Sequence, residues 1–480
     1  MSLRKTTDAQ ATIALETPER PISHADGESR GWSERLPEAG SVAAFLIPFA
    51  LVVYLGMKRG GFEQPVYSEI GIAAWWLVAV GILAAALPGA RVGRSGWIAL
   101  GLLAAFAGWT AIGVSWSSSS GRSVVEVARV LVYVGVFAVA LLTGGRGRMR
   151  ITLGGVAAGC ATIAVVALLS RLQPSWFPEN ELPQVLVGVQ SRLAYPVGYW
   201  NALAGLIAIG MPLLLWAVTS ARSVALRSLA AAAVPALVLA GYFTYSRGGL
   251  VATALGIAAL ILLSERRLSL VLPLGALAAG SAFVLWQASI RHQLSDGLTT
   301  GTAGAQGDSM LIIVCGVGLV AAAVIAALTL LERRERIPRA PEVPRRLAAG
   351  LAAGVVVLAA IAFVVAGGPG EVSDGWEEFK EPSGLSDTSS RLESVAGNGR
   401  WQYWSAAADA GADAPLQGIG PGTFVFYWQQ FRDIDNGFVR DAHSLFAEVF
   451  AELGVIGVAL IGGFVIFVLA AGARRRRARR

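Results

Sequence analysis

The chain has 480 residues, 55% of them hydrophobic and 15% charged, with a mean hydropathy of +0.59. A soluble protein carries roughly 25% charged residues, so a string of water-soluble domains is excluded and a polytopic integral membrane protein is expected. The formal charge of +7 is no nucleic-acid signature, because its arginines concentrate in short loops and at the C-terminal end, where they set membrane orientation.

Residues 1–40 are polar and read as a disordered cytoplasmic tail with no cleavable signal peptide. A membrane span needs about 20 mostly apolar residues, and about twelve such segments follow. Within 41–366 they run over 42–57, 70–87, 97–114, 128–142, 151–169, 199–218, 229–245, 249–263, 268–286, 310–331 and 347–366. Residues 367–443 form a large loop with short amphipathic helices, 444–471 the last span, and 472–480 a basic cytoplasmic tail. The fold class expected is therefore an all-α integral membrane protein of about 12 transmembrane helices, with its large loop between the last two spans.

The loops alternate in charge. GARVGRSG, GRGRMR, ARSVALR, ERR, ERRERIPRAPEVPRR and RRRRARR form a basic set, and the longer loops between them are less basic. The positive-inside rule assigns the basic set and both termini to the cytoplasm. The outer face then receives 172–198, the turn at Ser246, 287–308 and 367–443. Within the last of these, GRWQYWSAAADAGADAP reads as an amphipathic helix stopped by Pro415, and LQGIGPGTF as a tight, turn-rich link.

Cys160 and Cys315 both lie in apolar runs and read as small core side chains, so no disulfide or metal framework is expected. Acidic residues are scarce in the spans. Glu448 and Glu452 are the clearest exceptions, near the outer end of the last span, and Glu452 reads as a brace for a helix contact. The scarcity of ionisable groups in the spans argues against proton-coupled transport and leaves a flippase with a polar groove as an alternative. Three basic residues from distant parts of the chain share the outer face: Arg247 in YSRGG, Arg400 in GRWQYW and His443 in RDAHSLF.

Taken together, these stretches resemble the bacterial O-antigen ligase and O-antigen polymerase superfamily. YSRGGLVATALGIAALIL resembles that family's Arg-Gly pair opening a hydrophobic span. GRWQYWSAAADAGADAPLQGIGPGTF resembles its extracellular signature, in which Arg and Trp precede a Pro-Leu-x-Gly-x-Gly-x-x-x-Phe run. DAHSLFAEVFAELGVIG is similar to its His-led helix ending in Glu-x-Gly-x-x-Gly, and RLAYPVGYWNALAG to the stretch before a helix pair. The resemblance covers roughly 192–457.

The resemblance implies a GT-C type membrane glycosyltransferase of the bacterial cell envelope. It implies transfer of a glycan from undecaprenyl diphosphate to an acceptor hydroxyl on the extracytoplasmic face of the plasma membrane, with no cofactor, metal or nucleotide sugar. Expected partners are the lipid-linked donor, a glycan or lipid-linked acceptor and membrane lipids, with no nucleic acid. Arg247 and Arg400 are the expected diphosphate clamp, because guanidinium groups stay charged and pair with phosphate oxygens. Arg192 is a third phosphate candidate, and Asn201 lies in the same stretch. His443 is the expected catalytic group, as general base or phosphate ligand. Trp401 and Tyr403 are candidate sugar platforms, and Trp404 a membrane-interface anchor. Direct displacement at the anomeric carbon would invert it. A polysaccharide polymerase of the same superfamily, and a flippase or transporter of lipid-linked glycan, are the alternatives.

Overall fold

The computed structural model describes residues 26–83, 92–143, 147–178, 189–264, 267–334, 368–381, 396–432, 434 and 439–477. Met1–Ala43 and Ala44–Arg480 are separate units, and the site lies in the second. Every regular element among the described residues is helical. Ten of these helices are long and apolar enough to cross a membrane. The multi-pass, all-α architecture expected from the sequence is the one observed.

In chain order the membrane helices are α1 (Asp26–Met57, apolar over Gly40–Met57), α2 (Gln64–Leu83), α3 (Arg94–Gly113), α4 (Ser120–Thr143) and α5 (Met149–Leu172). After these come α6 (Trp200–Ser220), α7 (Val224–Phe243), α9 (Val271–Ser289) and α10 (Gly301–Arg333), with α14 (Leu445–Arg477) as the tenth; the shorter apolar α8 (Arg247–Leu263) lies between α7 and α9. Three shorter helices follow α10, namely α11 (Gly368–Lys380), α12 (Arg400–Asp413) and α13 (Phe424–Phe431), and α14 is the last helix described. The segment expected as the eleventh span, 347–366, lies outside the described residues.

Two helices start well before their apolar windows. Thr300 caps α10 by accepting the Ala303 N–H, so the helix takes in polar residues expected in the outer loop. In α4 the Glu126–Arg129 ion pair, one turn apart at 3.0 Å, lies in the polar stretch before the apolar window. By contrast α8 has 17 residues, about 26 Å of helix, and is shorter than a bilayer core of about 30 Å.

Packing separates the spans into two groups. The larger core draws on α5, α6, α7, α9 and α10, around Ile163, Leu203, Leu237, Val284 and Met310. A second core joins α3, α4 and α14 through Leu103, Phe106, Val130, Val449 and Leu453. Cys160 is buried as expected, but Cys315 is exposed: its position on α10 faces outward rather than into the core. At the end of the bundle that carries the basic loops, Arg227 donates to the Val218 and Thr219 carbonyls and pairs with Glu332 at 3.0 Å, and Arg475 donates to Ser95.

At the other end, α12, α13 and the N-terminal half of α14 share a third core, with Tyr403, Ala407, Phe424, Trp428, Ala442 and Ala451 buried. Here α14 is broken at Gly454, whose φ of 63° and ψ of −165° suit only glycine. A broken helix in lipid must satisfy its freed backbone groups. The link after α12 does this: Ile419 and Gly420 donate to the Ala451 and Glu452 carbonyls at 2.9 and 3.0 Å, and Val455 donates to Pro415 at 2.9 Å. The Trp109 indole takes the Leu453 carbonyl at 2.9 Å. Gly418, at φ 73°, runs so close to α14 that a Cβ would fall 2.2 Å from the Glu452 carbonyl carbon. The two glycine-containing motifs of the outer signature and the last helix are therefore the two halves of one backbone joint.

Candidate functional site

The turn between α7 and α8 is built from outside. Tyr245 is buried at 5% exposure and has a left-handed φ of 49°, an outlier for a bulky side chain. Arg192, also 5% exposed, holds this turn by donating to the Thr244 and Tyr245 carbonyls at 3.2 and 3.0 Å, with its guanidinium 4.3 Å from the Trp200 ring centre. Ser246 caps α8 by accepting the Gly249 N–H and donates to Asn201 Oδ1 at 2.7 Å. Asn201 in turn donates to the Tyr199 hydroxyl at 2.6 Å. Both Arg192 and Asn201 thus contact the segment that carries Arg247. Replacing Arg192 by Ala should leave two buried carbonyls unpaired and lower stability by about 3 kcal/mol. Lys should recover little, because one ammonium does not match two fixed carbonyls. Thermal unfolding in detergent measures both.

Arg247, the first residue of α8, donates through Nη2 to the Ala396 carbonyl at 2.6 Å. The Ala396 N–H in turn donates to Glu378 on α11 at 3.2 Å. Arg247 therefore feels the Glu378 carboxylate and, against it, the positive charge of Arg400. Arg400 opens α12 directly after Gly399 and Asn398, both at positive φ (79° and 51°). Among the described residues its guanidinium makes no hydrogen bond or ion pair.

His443 is exposed. Its φ is 53°, and its ring lies 5.5 Å from that of Tyr403. Loss of hydration lowers its pKa, and the nearby Arg400 guanidinium lowers it further, with Asp441 acting weakly in the opposite sense. The imidazole is therefore held neutral near pH 7.

Arg400 thus lies within electrostatic reach of both Arg247 and His443. Three non-glycine residues with left-handed backbone, Tyr245, Asn398 and His443, lie in the three segments that carry them. Strain of this kind persists where surrounding structure holds it, and it concentrates at functional sites. Tyr403 is 5% exposed, packed edge-on against Trp428 at 4.8 Å and against His443, so it supports the imidazole from below the surface. Trp401 is half-buried and pairs edge-on with the exposed Trp376 at 5.2 Å, leaving aromatic surface beside Arg400. Trp404 packs on Phe379 at 5.6 Å.

Glu452 is buried at 8% exposure, and its two carboxylate oxygens accept the Gly422 N–H at 2.8 Å and the Phe424 N–H at 3.0 Å. It anchors the start of α13. Arg122 and Ser123 at the outer end of α4 take the carbonyls of Gly422 and Pro421. Glu378 and Glu448 were not singled out for the site by the sequence. The amphipathic pattern of GWEEFK was the available signal for Glu378.

Beneath the Ser246 turn, a cavity of about 440 Å³ lies among α6, α7, α8 and α9. Its walls are apolar, including Ile207, Met211, Leu237, Ile257 and Leu277, and Tyr245 and Ser246 close its outer end.

The family model described as O-antigen ligase matches residues 307–462. Over these residues, about a third of the chain, it is similar to the O-antigen ligase family. The match spans Arg400, His443, both glycine motifs and Glu452, whereas Arg192, Asn201 and Arg247 precede it. It supports a membrane enzyme of the O-antigen ligase and polymerase superfamily that transfers glycan. No curated protein and no solved structure matches the chain.

Proposed function

We propose that this O-antigen ligase-like chain transfers a glycan from a lipid diphosphate, undecaprenyl diphosphate, to an acceptor hydroxyl on the extracytoplasmic face. The observation that carries this reading is that Arg247, held at the start of α8 by the Ala396 carbonyl, and Arg400, at the start of α12, lie within electrostatic reach of each other. Two guanidinium groups close enough to repel each other are relieved by an anion lying between them, and a diphosphate supplies it with matching oxygens. The apolar cavity ending at the Ser246 turn supports an isoprenoid donor, because it offers room for a hydrocarbon chain directly beneath the clamp.

The chemistry follows from these positions. The acceptor oxygen forms a bond to the anomeric carbon as the bond from that carbon to the diphosphate breaks. The electron pair leaves on the diphosphate, where Arg247 and Arg400 offset the growing charge. The hydroxyl proton passes to His443, whose neutral imidazole is the form a general base requires. One displacement inverts the anomeric centre. Arg192 and Asn201 contribute by fixing the turn that carries Arg247, and Trp401 offers a ring face to a sugar.

Donor binding tests the clamp. Titration of undecaprenyl diphosphate into purified protein, with chelator present, should show that Arg247→Ala and Arg400→Ala each weaken binding by about tenfold or more, the scale of a lost charged hydrogen bond. Undecaprenol, which lacks the diphosphate, should bind weakly and equally to all three proteins. Equal affinity of wild type and both variants for the diphosphate would remove the clamp.

A further inference from the structure

His443 sits in a backbone conformation that side chains with a Cβ avoid, so something must hold it there. Ala442, immediately before it, is fully buried, and its N–H has no water to turn to. That N–H donates to Glu448 Oε2 at 3.1 Å. The backbone N–H of Glu448 donates to the Ser444 carbonyl at 2.9 Å, and the Ala447 N–H to the Ser444 hydroxyl at 3.4 Å. One residue therefore ties both sides of the turn, and His443 lies between the ties. Glu448 occupies the first turn of α14, where a carboxylate suits the positive end of the helix. The neighbouring Glu452 cannot replace it, because both its oxygens are taken by Gly422 and Phe424. Of the other nearby carboxylates, Glu126 is paired with Arg129 and Arg440, and Asp441 with Arg440.

We propose that Glu448 is a positioning residue for His443: its carboxylate clamps the 442–444 turn and so fixes where the imidazole stands relative to Arg400 and the acceptor hydroxyl. The inference rests on the reading of His443 as the base. It makes the hydrogen bond to Ala442, not the charge of Glu448, the quantity that matters.

Steady-state transfer rates for Glu448→Leu, Glu448→Gln, Glu448→Asp and His443→Ala decide it. Gln keeps an acceptor at the same reach, whereas Asp keeps the charge but falls short of the Ala442 N–H. Leu and Asp should each lower kcat by about 10²-fold, the usual result of displacing a catalytic group by about 1 Å, with KM changed less than about twofold. Gln should stay within about threefold of wild-type kcat by retaining that geometry. If Leu does not fold, the contrast between Gln and Asp gives the same decision. Wild-type kcat in Asp, a Gln variant as slow as Asp, or a rise in KM at unchanged kcat would each overturn the proposal. Full transfer by His443→Ala would instead overturn the assignment of the base, and is read separately.

Discussion

His443→Ala should lower the rate of glycan transfer by about 10²–10⁴-fold, the range associated with loss of a general base, while donor affinity stays within about twofold of wild type. Donor binding falls to the two arginines, and His443 adds no positive charge to the clamp because Arg400 and limited hydration keep it neutral. His443→Gly provides the control for folding. At φ 53° glycine carries no Cβ penalty, so this variant should be at least as stable as His443→Ala and equally inactive. The pH profile has a definite sign. A base is active when deprotonated, so the rate should rise with pH through the pKa of His443. That pKa lies below the ordinary 6.5, so wild type should keep more than half its plateau rate at pH 6.5. An acid limb with its midpoint above 6.5 would contradict the environment described for this imidazole.

The largest effect on stability is expected at Glu452. In Glu452→Leu, the N–H groups of Gly422 and Phe424 lose their partners in a buried setting, at about 1–3 kcal/mol each, or about 2–6 kcal/mol together. Gln should not rescue fully, because its amide end presents donors to one of the two N–H groups. The loss should be local. Hydrogen exchange should quicken at 422–428, while the core around Ile163 and Leu237 stays protected. Unchanged unfolding temperature and unchanged exchange at 422–424 would show that the carboxylate does not hold α13.

Much of this architecture was legible in the sequence because lipid imposes one demand, apolar length, and hydropathy records it directly. The helix starts were less legible. The helix at Gly301 begins through a threonine cap, and α4 carries an ion pair ahead of its apolar stretch, neither of which hydropathy registers. The glycine motifs showed that a turn and a helix break existed, but not that Gly418 and Gly454 serve the same joint, since their contact links 415–420 to 451–455 through backbone hydrogen bonds. Arg247, Arg400 and His443 were legible as candidates by residue type and motif. The contact that ties Arg247 to the stretch before α12 was not, because it runs through Ala396, whose carbonyl takes Arg247 and whose side chain says nothing. Arg192 was expected at the phosphate, and its guanidinium instead reaches the carbonyls of the adjacent turn. Tyr403, expected as a sugar platform, is buried behind His443. In both cases residue type indicated the kind of contact, and only packing showed with what.

The central claim is that Arg247, Arg400 and His443 form one site for a lipid-diphosphate glycan donor. Its most direct test is glycan transfer by purified protein, with chelator present, from a synthetic undecaprenyl-diphosphate oligosaccharide to a glycan acceptor. Wild-type protein should give an inverted product, as one band for a ligase or a ladder for a polymerase. Arg247→Ala, Arg400→Ala and His443→Ala, folded to the same unfolding temperature, should each lose at least about 10²-fold in rate. Variants as active as wild type, or transfer that proceeds with retained configuration, would contradict the site and the mechanism drawn from it.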